Sequence, residues 1–96
     1  MNPGARFKFR LYVAGDAQNS AQALFNLTAF CKTYLKDRHA IEVVDVFREP
    51  ERALADRILM TPTLVKLAPL PIRTIVGTLS QTQAVVHALG LESLAA

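Results

Sequence analysis

The sequence predicts a mixed α/β fold with the element order β-α-β-α-β-β-α, and three observations carry that prediction. Phe7-Lys8-Phe9-Arg10-Leu11-Tyr12-Val13 alternates strictly, which is the period of a strand. Leu24, Leu27, Cys31, Tyr34 and Leu35 recur at spacings of three and four, which is the period of a helix with one apolar stripe. Around Thr61-Pro62 a helical pattern stops and the β-branched apolar run Thr63-Leu64-Val65 begins.

Taken in order, the first strand places Phe7, Phe9, Leu11 and Val13 on one face. Lys8, Arg10 and Tyr12 lie on the other, a face that is partly wet or covered by a partner. Ala14–Gln18 turns the chain, with Gly15 free to take positive φ. Asn19 or Ser20 caps the first helix, Asn19 with Gln22 forming a capping-box pattern, and the helix runs to about Asp37. Lys32, Lys36 and Arg38 sit near its negative end. Ile41–Phe47 is the second strand, so the first three elements form a βαβ unit with parallel strands.

Pro50 suits the first turn of a second helix, with Glu49 and Glu51 at its positive end and Leu54, Ile58 and Leu59 as its apolar face. Pro62 must stand at the start of the next strand, Thr63–Leu67, because inside the ladder it would delete a hydrogen bond. Pro69-Leu70-Pro71 makes a tight turn into a strand over Ile72–Val76, which Gly77 ends. Ser80 with Gln83 repeats the capping-box pattern before a last helix through Leu89, and Gly90 is placed as its C-terminal cap.

Ninety-six residues with 51% hydrophobic content fit one compact domain over 1–96, with its core at about 7–91. The net charge of +3 is mild and the basic residues are scattered, a pattern of solvated faces rather than of a nucleic-acid surface. One cysteine allows no intrachain disulfide and fits a reducing cytoplasm. The first six residues do not read as a signal peptide, and no apolar run is long enough for a membrane span.

The element order is thioredoxin-like, and a helix–Thr-Pro–strand junction resembles the cis-proline corner of that superfamily. Trans is the default for every X-Pro bond, so both isomers stay open at Thr61–Pro62. A thioredoxin-type oxidoreductase needs a thiolate in the turn after the first strand, at a helix N-terminus. Residues 14–20 hold no cysteine, and Cys31 falls mid-helix on the apolar stripe, as a buried structural thiol does. His39, in a turn, and His87, in the last helix, lack clustered ligands, so no metal is expected. Asp16, Asp45 and Asp56 form no acid–base pair by spacing; Asp45 reads equally as a buried carboxylate or as a strand residue at a solvated edge. No phosphate loop or dinucleotide fingerprint is present, and no cofactor is expected. By subtraction, the chain is a binding module and not an enzyme.

Leu11-Tyr12-Val13-Ala14-Gly15, Asn19-Ser20, Ile58-Leu59, Thr61-Pro62-Thr63-Leu64, Lys66, Pro69-Leu70-Pro71, Arg73 and Gly77 together resemble the KaiB family of clock proteins, over about residues 7 to 91. The N-terminal sensor domain of the histidine kinase SasA is a less similar cousin, particularly through the Pro-Leu-Pro turn. The resemblance implies a non-enzymatic regulator that binds the N-terminal ATPase ring of KaiC, shifts it toward dephosphorylation and displaces SasA. It also implies fold switching: the free protein as a homo-oligomer, dimer or tetramer, whose C-terminal half is packed differently, and a thioredoxin-like bound form. Slow isomerisation at Pro62, Pro69 and Pro71 is one physical way to slow such an exchange.

On the same resemblance Arg57, Lys66 and Arg73 help dock the ring, with Gly15 and Asp16 weaker candidates; each charge also reads as a solvated surface group. Positions often basic in cyanobacterial relatives and associated with recruiting KaiA are here Gln22, Phe25 and Glu42, and the chain stops at Leu94-Ala95-Ala96 without an acidic tail. These departures put KaiA binding in doubt and suggest a KaiB–KaiC pair in a clock, timing or stress system. The alternatives are a thiol oxidoreductase, disfavoured by the missing cysteine, and a stand-alone SasA-like sensor module. Phe25 also hints at a self-association surface.

Overall fold

A computed structural model describes residues 6–91. The elements are β1 (Phe7–Val13), α1 (Gln18–Tyr34), β2 (His39–Asp45), α2 (Pro50–Ala55), β3 (Thr63–Ala68), β4 (Arg73–Val76) and α3 (Thr82–Ala88), the thioredoxin-like order. They build one four-stranded sheet in the order β2-β1-β3-β4. β1 lies parallel to β2, from Phe7 opposite His39 to Val13 opposite Asp45, and antiparallel to β3. β4 extends the sheet antiparallel to β3.

The alternation of β1 sorts its side chains onto two faces. Phe7, Phe9, Leu11 and Val13 join Ala23, Leu27, Phe30, Cys31 and Leu35 of α1 and its end, and Val85, Val86 and Leu89 of α3 and its end, in the main core. Tyr12 packs on the opposite face with Val44, Val65 and Ala53, so the chain's own α2 covers the Tyr12 end of the polar-reading face of β1, while Lys8 at the other end stays exposed. Ala53 is the one buried residue of α2, and its small side chain lets the short helix approach the sheet.

Several boundaries and caps differ from the sequence expectation. Neither Asn19 nor Ser20 caps α1; Ala17 is the N-cap, with no side-chain hydrogen bond. Ser20 is turned inward, where its hydroxyl oxygen accepts the Ala14 N–H at 3.0 Å and closes the β1–α1 turn. α1 stops at Tyr34 because the chain turns left-handed at Asp37, φ 60°, and His39 opens β2 instead of lying in a turn. β2 ends two residues early: the Val46 N–H still donates to Val13 O at 2.9 Å, but the Asp45 carboxylate accepts the N–H of Phe47 at 2.9 Å and of Gly15 at 3.1 Å, turning the chain off the ladder at Phe47. Asp45 is thereby a loop tie, neither isolated in the core nor idle at an edge.

At α3 the N-cap is Gln81, again without a side-chain bond; the Ser80 hydroxyl lies 3.3 Å from Thr78 Oγ1. Its C-terminus does close as expected. Gly90 takes φ 71°, its N–H donates to His87 O at 3.1 Å, and the Leu91 N–H donates to Val86 O at 2.9 Å, which together make a Schellman motif.

The expected apolar face of α2 is not buried. The helix ends at Ala55, Ile58 alone of the three named residues packs inward, and Leu54 and Leu59 are 79% and 93% exposed. Within α2 it is Ala53 and not Leu54 that faces the sheet, and a second Schellman motif takes Leu59 out of the helix: Arg57, φ 57°, donates to Leu54 O at 3.1 Å and Ile58 to Ala53 O at 2.9 Å, which turns the chain before a third helical turn can form. Thr61–Pro62 is cis, and so are Ala68–Pro69 and Leu70–Pro71, where trans was the default. Among the described residues no helix is long and apolar enough to cross a membrane.

Candidate partner-binding surface

The candidate residues fall into three separate places, and one of them brings Lys66, Arg73, Pro69 and Pro71 together. Gly15 and Asp16 follow the C-terminal end of β1, at the same end of the sheet as buried Pro62, whose carbonyl accepts the Gly77 N–H at 2.9 Å. Gly15 takes φ 55°, and a Cβ there would stand 3.6 Å from Phe47 Cδ2, ordinary contact; the backbone conformation, not crowding, calls for glycine. Arg57 is exposed past the end of α2, on the other side of the sheet from α1 and α3.

Lys66 and Arg73 are Cα partners across the β3–β4 ladder and share its α1/α3 face. With the exposed turn Pro69-Leu70-Pro71 they line a cleft of about 250 Å³ whose apolar walls include Phe7, Leu89 and Leu91. Lys66 is 4% exposed, which corrects its reading as a solvated charge: alternation on β3 turns its stem into the core side. Desolvation first, and the neighbouring Arg73 second, hold its amine below the usual lysine range. Arg73 reaches toward the end of α3, its Nη2 3.9 Å from where a Gly90 Cβ would stand. Among the described residues neither cation makes an ion pair.

The covered face of the sheet carries an ionic cluster that sequence spacing did not reveal. Glu42 accepts Arg10 Nε at 2.8 Å and Arg52 Nη1 at 2.8 Å; Arg52 also meets Glu49 at 3.4 Å, and Arg10 Nη1 meets Asp56 at 3.1 Å. The fully buried Tyr12 donates its hydroxyl hydrogen to the Asp56 carboxylate. Arg52 first and Arg10 second pull the Glu42 carboxyl down to about 2. The tyrosine and Arg10 hold Asp56 below its ordinary range. Glu42 therefore already has two internal cationic partners, and the cluster ties α2 to β1 and β2. The one available signal was Arg10 and Tyr12 alternating on one face of β1, which did not say what covered them.

Cys31 lies wholly inside the core, and burial pushes its thiol up to about 12. It is far from the nucleophile position of a thioredoxin, the turn before α1. Among the described residues no cluster of His, Cys, Asp and Glu could hold a metal ion.

Comparison with known proteins places this architecture. A family model of the KaiB domain matches residues 10–91. The chain belongs to the KaiB family. It is 39% identical over 87 residues to the circadian clock protein KaiB3 of Synechocystis, an alignment covering 91% of this chain and 83% of that relative. To the circadian clock oscillator protein KaiB of Synechococcus elongatus it is 41% identical over 91 residues, covering 95% of this chain and 89% of that one. Solved structures similar to this KaiB-family chain include chloroplastic thioredoxin z, TM-score 0.75 at 18% identity over 95% of this chain and 81% of that one. The N-terminal domain of Synechococcus elongatus SasA is similar too, TM-score 0.74 at 17% identity over 91% and 83%. At those identities the structural likenesses establish the thioredoxin-like fold.

Proposed function

We propose that this KaiB-family chain is a non-enzymatic regulator that docks on a KaiC-type RecA-like ATPase ring and modulates its phosphorylation state, in a clock, timing or stress system of the cytoplasm. The observation that carries the reading is family membership across residues 10–91, with relatives whose names make them circadian clock proteins. The Lys66–Arg73 pair beside the exposed Pro69-Leu70-Pro71 turn supports it, because unpaired cations in an apolar cleft suit an acidic partner. Arg57, Gly15 and Asp16 extend the docking surface in this reading.

Binding displaces a SasA-like kinase from the same ring. The system works without KaiA, since Glu42 is occupied internally and Phe25 and Gln22 present no positive charge. The thioredoxin-like arrangement is the ring-bound form. A homo-oligomer with a differently packed C-terminal half is the alternative state of the free chain.

The test is size-exclusion chromatography and calorimetry of the chain with a KaiC-type N-terminal ATPase ring, wild type against Lys66→Met/Arg73→Gln. A saturable complex that the double variant loses supports the proposal. A chain that ignores the ring, or a variant that binds as tightly as wild type, contradicts it.

A further inference from the structure

Arg10 and Arg52 each have a carboxylate within 3.5 Å, and even the exposed Arg48 has one at 3.9 Å. Lys66 and Arg73, like most of the described lysines and arginines, meet none, and what sets them apart is where they stand. They stand directly opposite on one ladder, where like charges repel. Lys66 has only 4% of its surface in water: its stem is buried while the ammonium tip still touches solvent, partly desolvated and without a counter-charge. The end of α3 offsets part of the Arg73 charge, since a helix C-terminus is favourable to cations. That leaves the ammonium facing a cleft of about 250 Å³, room for several water molecules or one small anion.

From this we infer that the cleft between the Pro69-Leu70-Pro71 turn and the end of α3 is an oxyanion site, with phosphate its simplest ligand, gripped between the Lys66 ammonium and the Arg73 guanidinium. The two groups are complementary: a planar fork that takes two oxygens, and a point charge that takes a third. Phe7, Leu89 and Leu91 wall the inner side of the site with apolar surface, while Arg73 stands exposed at its rim. The source of the phosphate is free phosphate or the terminal phosphate of a nucleotide. This goes beyond ring docking and is a property of the isolated chain, so its test needs no ring and its failure is separable from failure of that proposal.

The experiment is a ¹H–¹⁵N NMR titration of the full chain with sodium phosphate at constant ionic strength, chloride making up the balance, with ADP as a parallel arm. The expected result is saturable shifts confined to Lys66, Leu70, Arg73, Gly90 and Leu91. Lys66→Met and Arg73→Gln, each with an otherwise native spectrum, weaken binding by about tenfold or more, and Lys36→Gln does not. Phosphate saturating at least as tightly as ADP assigns the free ion; tighter saturation by ADP at the same residues assigns the nucleotide. Glu92 follows Leu91 in sequence and lies outside the described residues, so Glu92→Gln serves as a control and is expected to bind phosphate at least as tightly as wild type. Non-saturating shifts, shifts spread over Lys32, Lys36 and Arg38, or full binding by Lys66→Met would overturn the inference.

Discussion

Arg57 offers a prediction whose sign reverses with the local backbone. Its φ of 57° places a long side chain at the left-handed position that closes α2, where its N–H bonds Leu54 O at 3.1 Å and the next N–H bonds Ala53 O at 2.9 Å. A side chain with a Cβ costs about 1 kcal/mol or more in that conformation, and glycine escapes the cost. In a right-handed helical backbone the order is opposite, with alanine better than glycine by about 1 kcal/mol. Arg57→Gly and Arg57→Ala remove the same charge and differ only in this respect. The Gly variant is therefore expected to be more stable than the Ala variant by about 1 kcal/mol, a Tm difference of roughly 4–8 °C in a domain of this size. Urea denaturation followed by circular dichroism measures the difference directly. Equal stability, or a more stable Ala variant, would refute the left-handed turn and with it the placement of Ile58 under α2.

Four further outcomes follow from the same geometry. Gly90→Ala, at φ 71°, is expected to cost about 1 kcal/mol through backbone strain alone, since nothing closer than 3.9 Å meets the new Cβ; thermal unfolding checks it. Glu42→Gln is expected to cost about 1 kcal/mol, far less than its full pKa shift, because the carboxylate is 45% exposed and screened. The Glu42 contribution is present in full above about pH 4.5 and is lost as pH falls toward 2, because the folded-state value lies below the unfolded one, so acid unfolding of Glu42→Gln should be flatter in that window. Cys31 is expected to resist a thiol reagent in native buffer at neutral pH and to react at once in denaturant, given its burial and a thiol raised to about 12.

The fold was largely legible because its strongest signals are periodic. Strict alternation placed β1 within its observed bounds, and Leu27, Cys31 and Leu35 named three of the residues that α1 and its C-cap bury. What failed was local competition for single polar groups. Ser20 looked like a cap, but the Ala14 N–H claims its hydroxyl. Leu54 and Leu59 looked like a helical face, but Ala53 is the α2 residue that meets the sheet, and a left-handed Arg57 turned the chain before Leu59 could. At the candidate surface, a linear pattern could name Lys66 and Arg73 but could not show that a hairpin sets them opposite each other. Nor could it show that Phe7 and Leu91, 84 positions apart in sequence, wall the same cleft. The Arg10–Glu42–Arg52 cluster was invisible for the same reason: its members come from three elements, and parallel pairing alone sets Arg10 beside Glu42.

The most direct test of the proposed role is NMR of the isotope-labelled chain with size-exclusion chromatography, before and after adding a KaiC-type N-terminal ATPase ring. The account predicts a complex in which backbone shifts of residues 50–90 report α2, β3, β4 and α3 in the order described here, whatever the oligomeric state of the free chain. A chain that never associates with the ring, or a bound state whose residues 50–90 lack that order, would contradict it.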